Sequence, residues 1–221
     1  MKIFLDTANI SLIEQLLPTG LVDGVTTNPT HLSKEGGDNP TQQVRAISAL
    51  LPQGAISVEV TETDAHAVYA QAKKIKALAD NIVVKIPCHY DYYWVIKKLV
   101  QEGVALNITL VFSVAQGVMM SQLGVEYISP FIGRLDDEGG DGLQLVEQLR
   151  YVIDRNALST KILAASVRNK DHFEGALLAG ADCITLAPAL LHDLCTHSLT
   201  NKGIAQFSQD WGSLTIKNFP S

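Results

Sequence analysis

Short, continuous apolar runs recur along the chain at 2–6, 24–27, 56–60, 82–86, 105–109, 127–131, 161–165 and 183–186. Runs that do not alternate mark strands covered on both faces, as in parallel sheets. Between them, segments such as 64–79 and 142–154 repeat apolar residues three and four apart, the spacing of a helix with one buried stripe. Each strand therefore feeds a crossover helix, and this series of pairs predicts an α/β fold, a (β/α)8 barrel of the TIM type. An open, doubly wound sheet is the competing arrangement, because periodicity alone does not separate a closed sheet from an open one. The number of units favours the barrel. A further helical stretch at 204–211 exceeds what the barrel needs, and packs either on a neighbouring subunit or under its own barrel.

The length of 221 residues suits one barrel domain spanning 1–221, with residues 202–221 as a C-terminal helix and tail. The uncharged stretch 103–125 is long enough to span a membrane, but it carries Asn107, Thr109, Ser113, Gln116, Ser121 and Gln122 and reads as a buried strand and helix. A net charge of −6 gives no protein-wide positive field for nucleic acid or anionic lipid, so an anionic ligand needs a local basic pocket. Cys88, Cys183 and Cys195 form neither a CxxC pair nor an even set, which fits reduced thiols in a cytoplasm. The first apolar run is cut by Asp6, so no export signal is expected.

A barrel of this kind carries its chemistry at the carboxyl ends of its strands. Those positions hold Asp6, Asn28, Glu59, Lys85, Asn107 with Thr109, Ser129 with Phe131 and then Arg134, and Ser166 with Arg168. Lys85 lies inside the apolar run IVVKIP, and a desolvated amine gives up its proton more readily and attacks carbonyl carbon. The plainer alternative is a structural ion pair with Glu59 or Asp6. Asp6 and Glu59 are carboxylates on different strands, able to divide proton transfers between them. Arg134, Ser166 and Arg168 follow the sixth and seventh strands, where many barrels bind phosphate, although each arginine alone also reads as a solvated surface charge. His192, Cys195 and His197 match no zinc spacing and read as a polar helix end, so no metal is expected. The aromatic run Tyr90 to Trp94 reads as a packed helix start.

Taken together, FLDTAN, GVTTNP, SVEV, VVKIP, NITLVFSVAQG, SPFIGR and AASVRN resemble the transaldolase family, in its short branch that also includes fructose-6-phosphate aldolase. The resemblance runs in order from the first strand to the eighth. It implies a (β/α)8 fold, Schiff-base chemistry without metal or cofactor, and ring-like homo-oligomers, pentamers or decamers, supported by the C-terminal helix. Residue by residue, it implies Lys85 as the Schiff-base lysine and Asp6 as the acid/base of carbon–carbon cleavage. Glu59 with Thr109 would move protons through a water. Asn28, Asn107 and Ser129 would hold the three-carbon unit, and Arg134, Ser166 and Arg168 the phosphate. The segment from Cys88 to Trp94 departs from the small residue, threonine and glycine-containing helix start of many relatives, which bears on the entrance near the lysine.

The expected activity is transfer of a dihydroxyacetone unit from sedoheptulose 7-phosphate or fructose 6-phosphate to an aldose phosphate, in the non-oxidative pentose phosphate pathway. The alternatives are an aldolase that releases free dihydroxyacetone and a sugar-phosphate binding protein without turnover. Glu59 and Phe131 separate the two enzymes, since the resemblance implies Gln and Tyr there in the aldolase branch.

Overall fold

Each apolar run becomes a strand, and the strands close on themselves in chain order, which excludes the open sheet. The computed structural model describes residues 1–35 and 39–214. The strands are β1 (Lys2–Asp6), β2 (Gly24–Thr26), β3 (Ala55–Glu59), β4 (Ile82–Pro87), β5 (Leu106–Val111), β6 (Tyr127–Pro130), β7 (Lys161–Val167) and β8 (Cys183–Leu186). All neighbours pair in parallel, and β8 returns to β1 with Lys2 opposite Cys183.

Around the barrel run α1 (Ile10–Leu16), α2 (Pro29–Glu35), α3 (Pro40–Leu50), α4 (Ala65–Lys76), α5 (Tyr93–Gln101), α6 (Val114–Leu123), α7 (Ile132–Asp137), α8 (Gly142–Arg155), α9 (Lys170–Leu178), α10 (Pro188–Leu194) and α11 (Ser198–Gly212). Asn9, Asn39, Asp64, Ser113, Asp141 and Asn169 each accept a backbone N–H in the first turn of the helix that follows, which defines where those helices start. The extra C-terminal helix begins before the expected residue 202, because His197 caps it at Ser198. Residues 215–221 of the expected tail lie outside the described residues. No helix among the described residues is long and apolar enough to cross a membrane.

The barrel buries two layers of side chains. Outward-facing Leu5, Val25, Ile56, Val84, Ile108, Ile128, Ile162 and Ile184 pack against the helices. Inside the barrel, Phe4, Val83, Tyr127, Leu163 and Cys183 form a separate apolar floor, with the Phe4 and Tyr127 rings edge to face at 6.2 Å. Gly24 leaves room for that floor: a Cβ there would sit 2.8 Å from the Phe4 ring and 2.6 Å from the Ala55 carbonyl.

β4 runs one residue past its expected end at 86, and β5 and β7 run two residues past theirs at 109 and 165. The register slips between Ile108 and Val111 on β5 and between Ala164 and Val167 on β7. Within these bulges Leu110 and Ser166 each adopt φ 58°, a left-handed conformation that costs a non-glycine residue about 1–3 kcal/mol. Both lie at the carboxyl rim, Ser166 lining the cavity described next and Leu110 its mouth.

Candidate active site

Residues two apart on a strand share a face, so the apolar floor dictates what stands above it. Asp6 follows Phe4, Lys85 follows Val83, Ser129 follows Tyr127 and Thr185 follows Cys183. The inside of the barrel thus changes from apolar to polar within one residue step. Above the step a cavity of about 120 Å³ is lined by Asp6, Thr26, Asn28, Lys85, Asn107, Ser129, Phe131, Arg134, Leu163, Ala165, Ser166 and Thr185. A wider mouth adjoins it and adds Pro29, Thr30, His31, Glu59, Thr109 and Leu110 while sharing Asp6, Asn28, Lys85, Phe131 and Arg134.

Lys85 is 5% exposed, and its ammonium has two partners. Nζ lies 3.0 Å from Glu59 Oε2 and donates to the Thr27 carbonyl at 3.2 Å. The pairing follows from the register, which puts Glu59 directly beside Lys85 and Lys85 directly beside Asn107. Asn107 is fully buried; its amide donates to Ser57 Oγ at 3.2 Å and its carbonyl accepts from Ser129 Oγ at 2.7 Å. Thr109 Oγ1 is buried and lacks a hydrogen-bond partner, although the residue lines the mouth. A buried hydroxyl without a partner is costly unless something in the cavity completes it.

Asp6 is held from both sides. Its Oδ1 accepts from Thr26 Oγ1 at 2.9 Å, and Thr26 shares a 2.6 Å hydrogen bond with Thr185. Its Oδ2 lies 3.6 Å from His31 Nε2, an ion-pair distance longer than a hydrogen bond. Burial pushes the Asp6 carboxyl up, but His31, Lys85 and Thr26 together outweigh it and hold the group below the ordinary aspartate value. His31 is raised by its contact with Asp6, against burial, with Glu35 adding to the rise. Glu35 lies 3.5 Å from His31 Nδ1 and accepts from Thr7 Oγ1 and the Ala8 N–H at 2.9 and 2.7 Å. Against its own burial those donors and His31 keep its carboxyl low. His31 and Glu35 were not among the residues read from the sequence as site residues. The available signal was a histidine just after Asn28, with a carboxylate one helical turn on.

Asn28 serves the backbone as well as the cavity, since its Oδ1 accepts the His31 N–H at 2.9 Å and starts α2. Phe131 lines the cavity and mouth, with the Arg134 guanidinium 4.8 Å from its ring centre and Phe112 at 5.8 Å. Ser166 joins them in the cavity. Arg168 does not line the cavity or the mouth: its guanidinium grips Asp137 through two 2.6 Å hydrogen bonds. The segment from Cys88 to Trp94 lines neither space, forms a short 3-10 turn leading into α5, and places a half-buried Cys88 thiol whose pKa burial pushes up to about 11.

The chain matches the family described as Transaldolase/Fructose-6-phosphate aldolase over residues 3–217. It is 49% identical over 211 residues to a probable transaldolase of Lactiplantibacillus plantarum, with 96% of each chain covered. It is 44% identical over 212 residues to a probable transaldolase of Thermoplasma volcanium, again covering 96% of this chain and 95% of the relative. Among solved structures, 3-hexulose-6-phosphate synthase from Salmonella typhimurium shares the fold at a TM-score of 0.62 and 14% identity, covering 87% of this chain and 91% of that one. A barrel with a lysine in its polar layer, matched over almost its whole length, belongs to the transaldolase/fructose-6-phosphate aldolase family.

Proposed function

We propose that the protein moves a dihydroxyacetone unit from a ketose phosphate, such as sedoheptulose 7-phosphate or fructose 6-phosphate, to an aldose phosphate through a Schiff base on Lys85. The observation that carries this reading is the buried Lys85 amine, 3.0 Å from Glu59 and open to a polar cavity. Glu59 takes the ammonium proton, and the free amine attacks the ketose carbonyl. Glu59 and Thr109 then assist the loss of water that leaves the imine. Asp6 removes the proton of the hydroxyl next to the breaking bond; the bond's electron pair enters the protonated imine, an enamine remains on Lys85, and the aldehyde departs. The acceptor aldehyde runs these steps in reverse, with Asp6 returning its proton to the new alkoxide.

Asn28, Asn107 and Ser129 face the three-carbon unit as neutral hydrogen-bonding groups, while Arg134 and Ser166 offer the donors for phosphate. Arg168 joins them when a phosphate competes Asp137 away. Transfer is favoured over release of dihydroxyacetone because Phe131 brings no hydroxyl to place a water beside the enamine. The exposed Leu199, Ile204 and Phe207 on α11 fit a homo-oligomer, and the free thiols of Cys88, Cys183 and Cys195 fit a cytoplasmic protein. Turnover measured with ketose and aldose phosphates together, against ketose phosphate alone, tests the reading. Fast product formation only with both present supports transfer, and equal rates without acceptor contradict it.

A further inference from the structure

The Lys85 side of the cavity needs only Lys85, Glu59 and Thr109, yet Asp6 on the opposite side is tied to two further titratable groups. His31 bridges Asp6 and Glu35, with its ring nitrogens 3.6 Å from Asp6 Oδ2 and 3.5 Å from Glu35 Oε1. Glu35 is itself fixed by Thr7 and the Ala8 N–H, which follow Asp6 directly in the chain. The imidazole is therefore anchored at one end to the segment that carries the acid/base and points its other nitrogen at that group. His31 also lines the mouth, so its ring is at the site rather than behind it.

Resting on the proposed function, we propose that His31 is a positioning residue for Asp6: as an imidazolium braced by Glu35, it orients the Asp6 carboxylate and compensates its charge beside the substrate. The groups that face this pair are Asp6 from β1, Glu35 from α2, Lys85 from β4, Glu59 from β3 and Arg134 from α7. Two carboxylates then meet His31, and Lys85 adds a second positive charge toward Asp6. Without the imidazolium, Asp6 keeps Thr26 and Lys85 but loses its partner on Oδ2, so it takes up a proton at higher pH and stops serving as base sooner on acidification. The reverse coupling follows by linkage: without the Asp6 charge, His31 releases its proton at lower pH.

The test uses the full-length protein with His31→Gln and Asp6→Asn. In the ligand-free protein, the His31 imidazole is titrated by NMR, and Asp6→Asn is expected to lower its midpoint by about one pH unit. In the transfer assay, His31→Gln is expected to move the acidic limb of kcat/KM upward by about one pH unit. Trapping by borohydride of the imine that free dihydroxyacetone forms on Lys85 should stay as in the wild type, because that step involves no carbon–carbon cleavage and so makes no use of Asp6. A His31 midpoint that ignores Asp6→Asn overturns the pairing. An unmoved acidic limb, or a trapping yield that falls in step with the rate, overturns the positioning role and assigns His31 to structure. A wild type that couples His31 to Asp6 but neither traps nor transfers upholds the pairing and contradicts the proposed function, so the two failures are distinguishable.

Discussion

Glu59 and Lys85 stand in register on adjacent strands, and the carboxylate lies 3.0 Å from an ammonium that is almost wholly inside the barrel. Two charges buried together gain little net stability, since desolvation offsets their attraction. On the proposed mechanism the pair has a chemical use: the amine must lose a proton before it can attack, and Glu59 is the adjacent acceptor. Glu59→Gln keeps the shape and removes the base. It is expected to slow imine formation by about 10²–10⁴-fold, measured as the rate of borohydride-trapped adduct in single turnover. An unchanged trapping rate would assign the pair to structure.

Arg134 and Arg168 separate in the structure as they do not in the sequence. Arg134 lines the cavity, whereas Arg168 already holds a carboxylate. A charge-assisted hydrogen bond contributes about 1.5–3 kcal/mol, so Arg134→Ala should lower kcat/KM for phosphorylated acceptors by about 10–100-fold and spare free glyceraldehyde. Arg168→Ala should cost less. Equal losses with both acceptors, measured side by side, would make Arg134 structural.

Much of this architecture is legible in the chain because an apolar run covered on both faces needs no partner to declare itself. The strand-end residues follow, since every second position enters the barrel. What escapes such reading is set by the third dimension. The bulges at Leu110 and Ser166 show only in how neighbouring strands pair, the Arg168–Asp137 pair joins residues from different units, and His31 meets Asp6 because α2 starts at Pro29, soon after β2 ends at Thr26. The i, i+4 spacing of His31 and Glu35 is legible, but nothing in it points to Asp6.

The Asp6, His31 and Glu35 cluster makes stability depend on pH with a definite sign. Asp6 and Glu35 are held below their ordinary values, so their contribution is present above about pH 4.3 and lost as pH falls through the lower folded values. His31 is raised, so its contribution is full below about pH 6.5 and lost as pH rises through the folded value. The Tm difference between wild type and His31→Leu should therefore be largest between about pH 4.5 and 6.5 and shrink on either side. A difference that stays flat from pH 4 to 9 would remove the charge coupling.

Phe131 stands over the cavity between Arg134 and Phe112, and offers no hydroxyl to a water. Phe131→Tyr should raise release of dihydroxyacetone from fructose 6-phosphate in the absence of acceptor, and adding Glu59→Gln should lower transfer. Release that does not change in Phe131→Tyr, followed by a coupled dihydroxyacetone assay, would move the basis of transfer elsewhere.

The buried amine of Lys85 is expected to form a covalent bond to the sugar. Fructose 6-phosphate added with borohydride, followed by peptide mass spectrometry, reads it directly. A reduced three-carbon adduct on Lys85, absent in Lys85→Met, is the expected result; an adduct on another lysine, or no adduct while transfer proceeds, would contradict it.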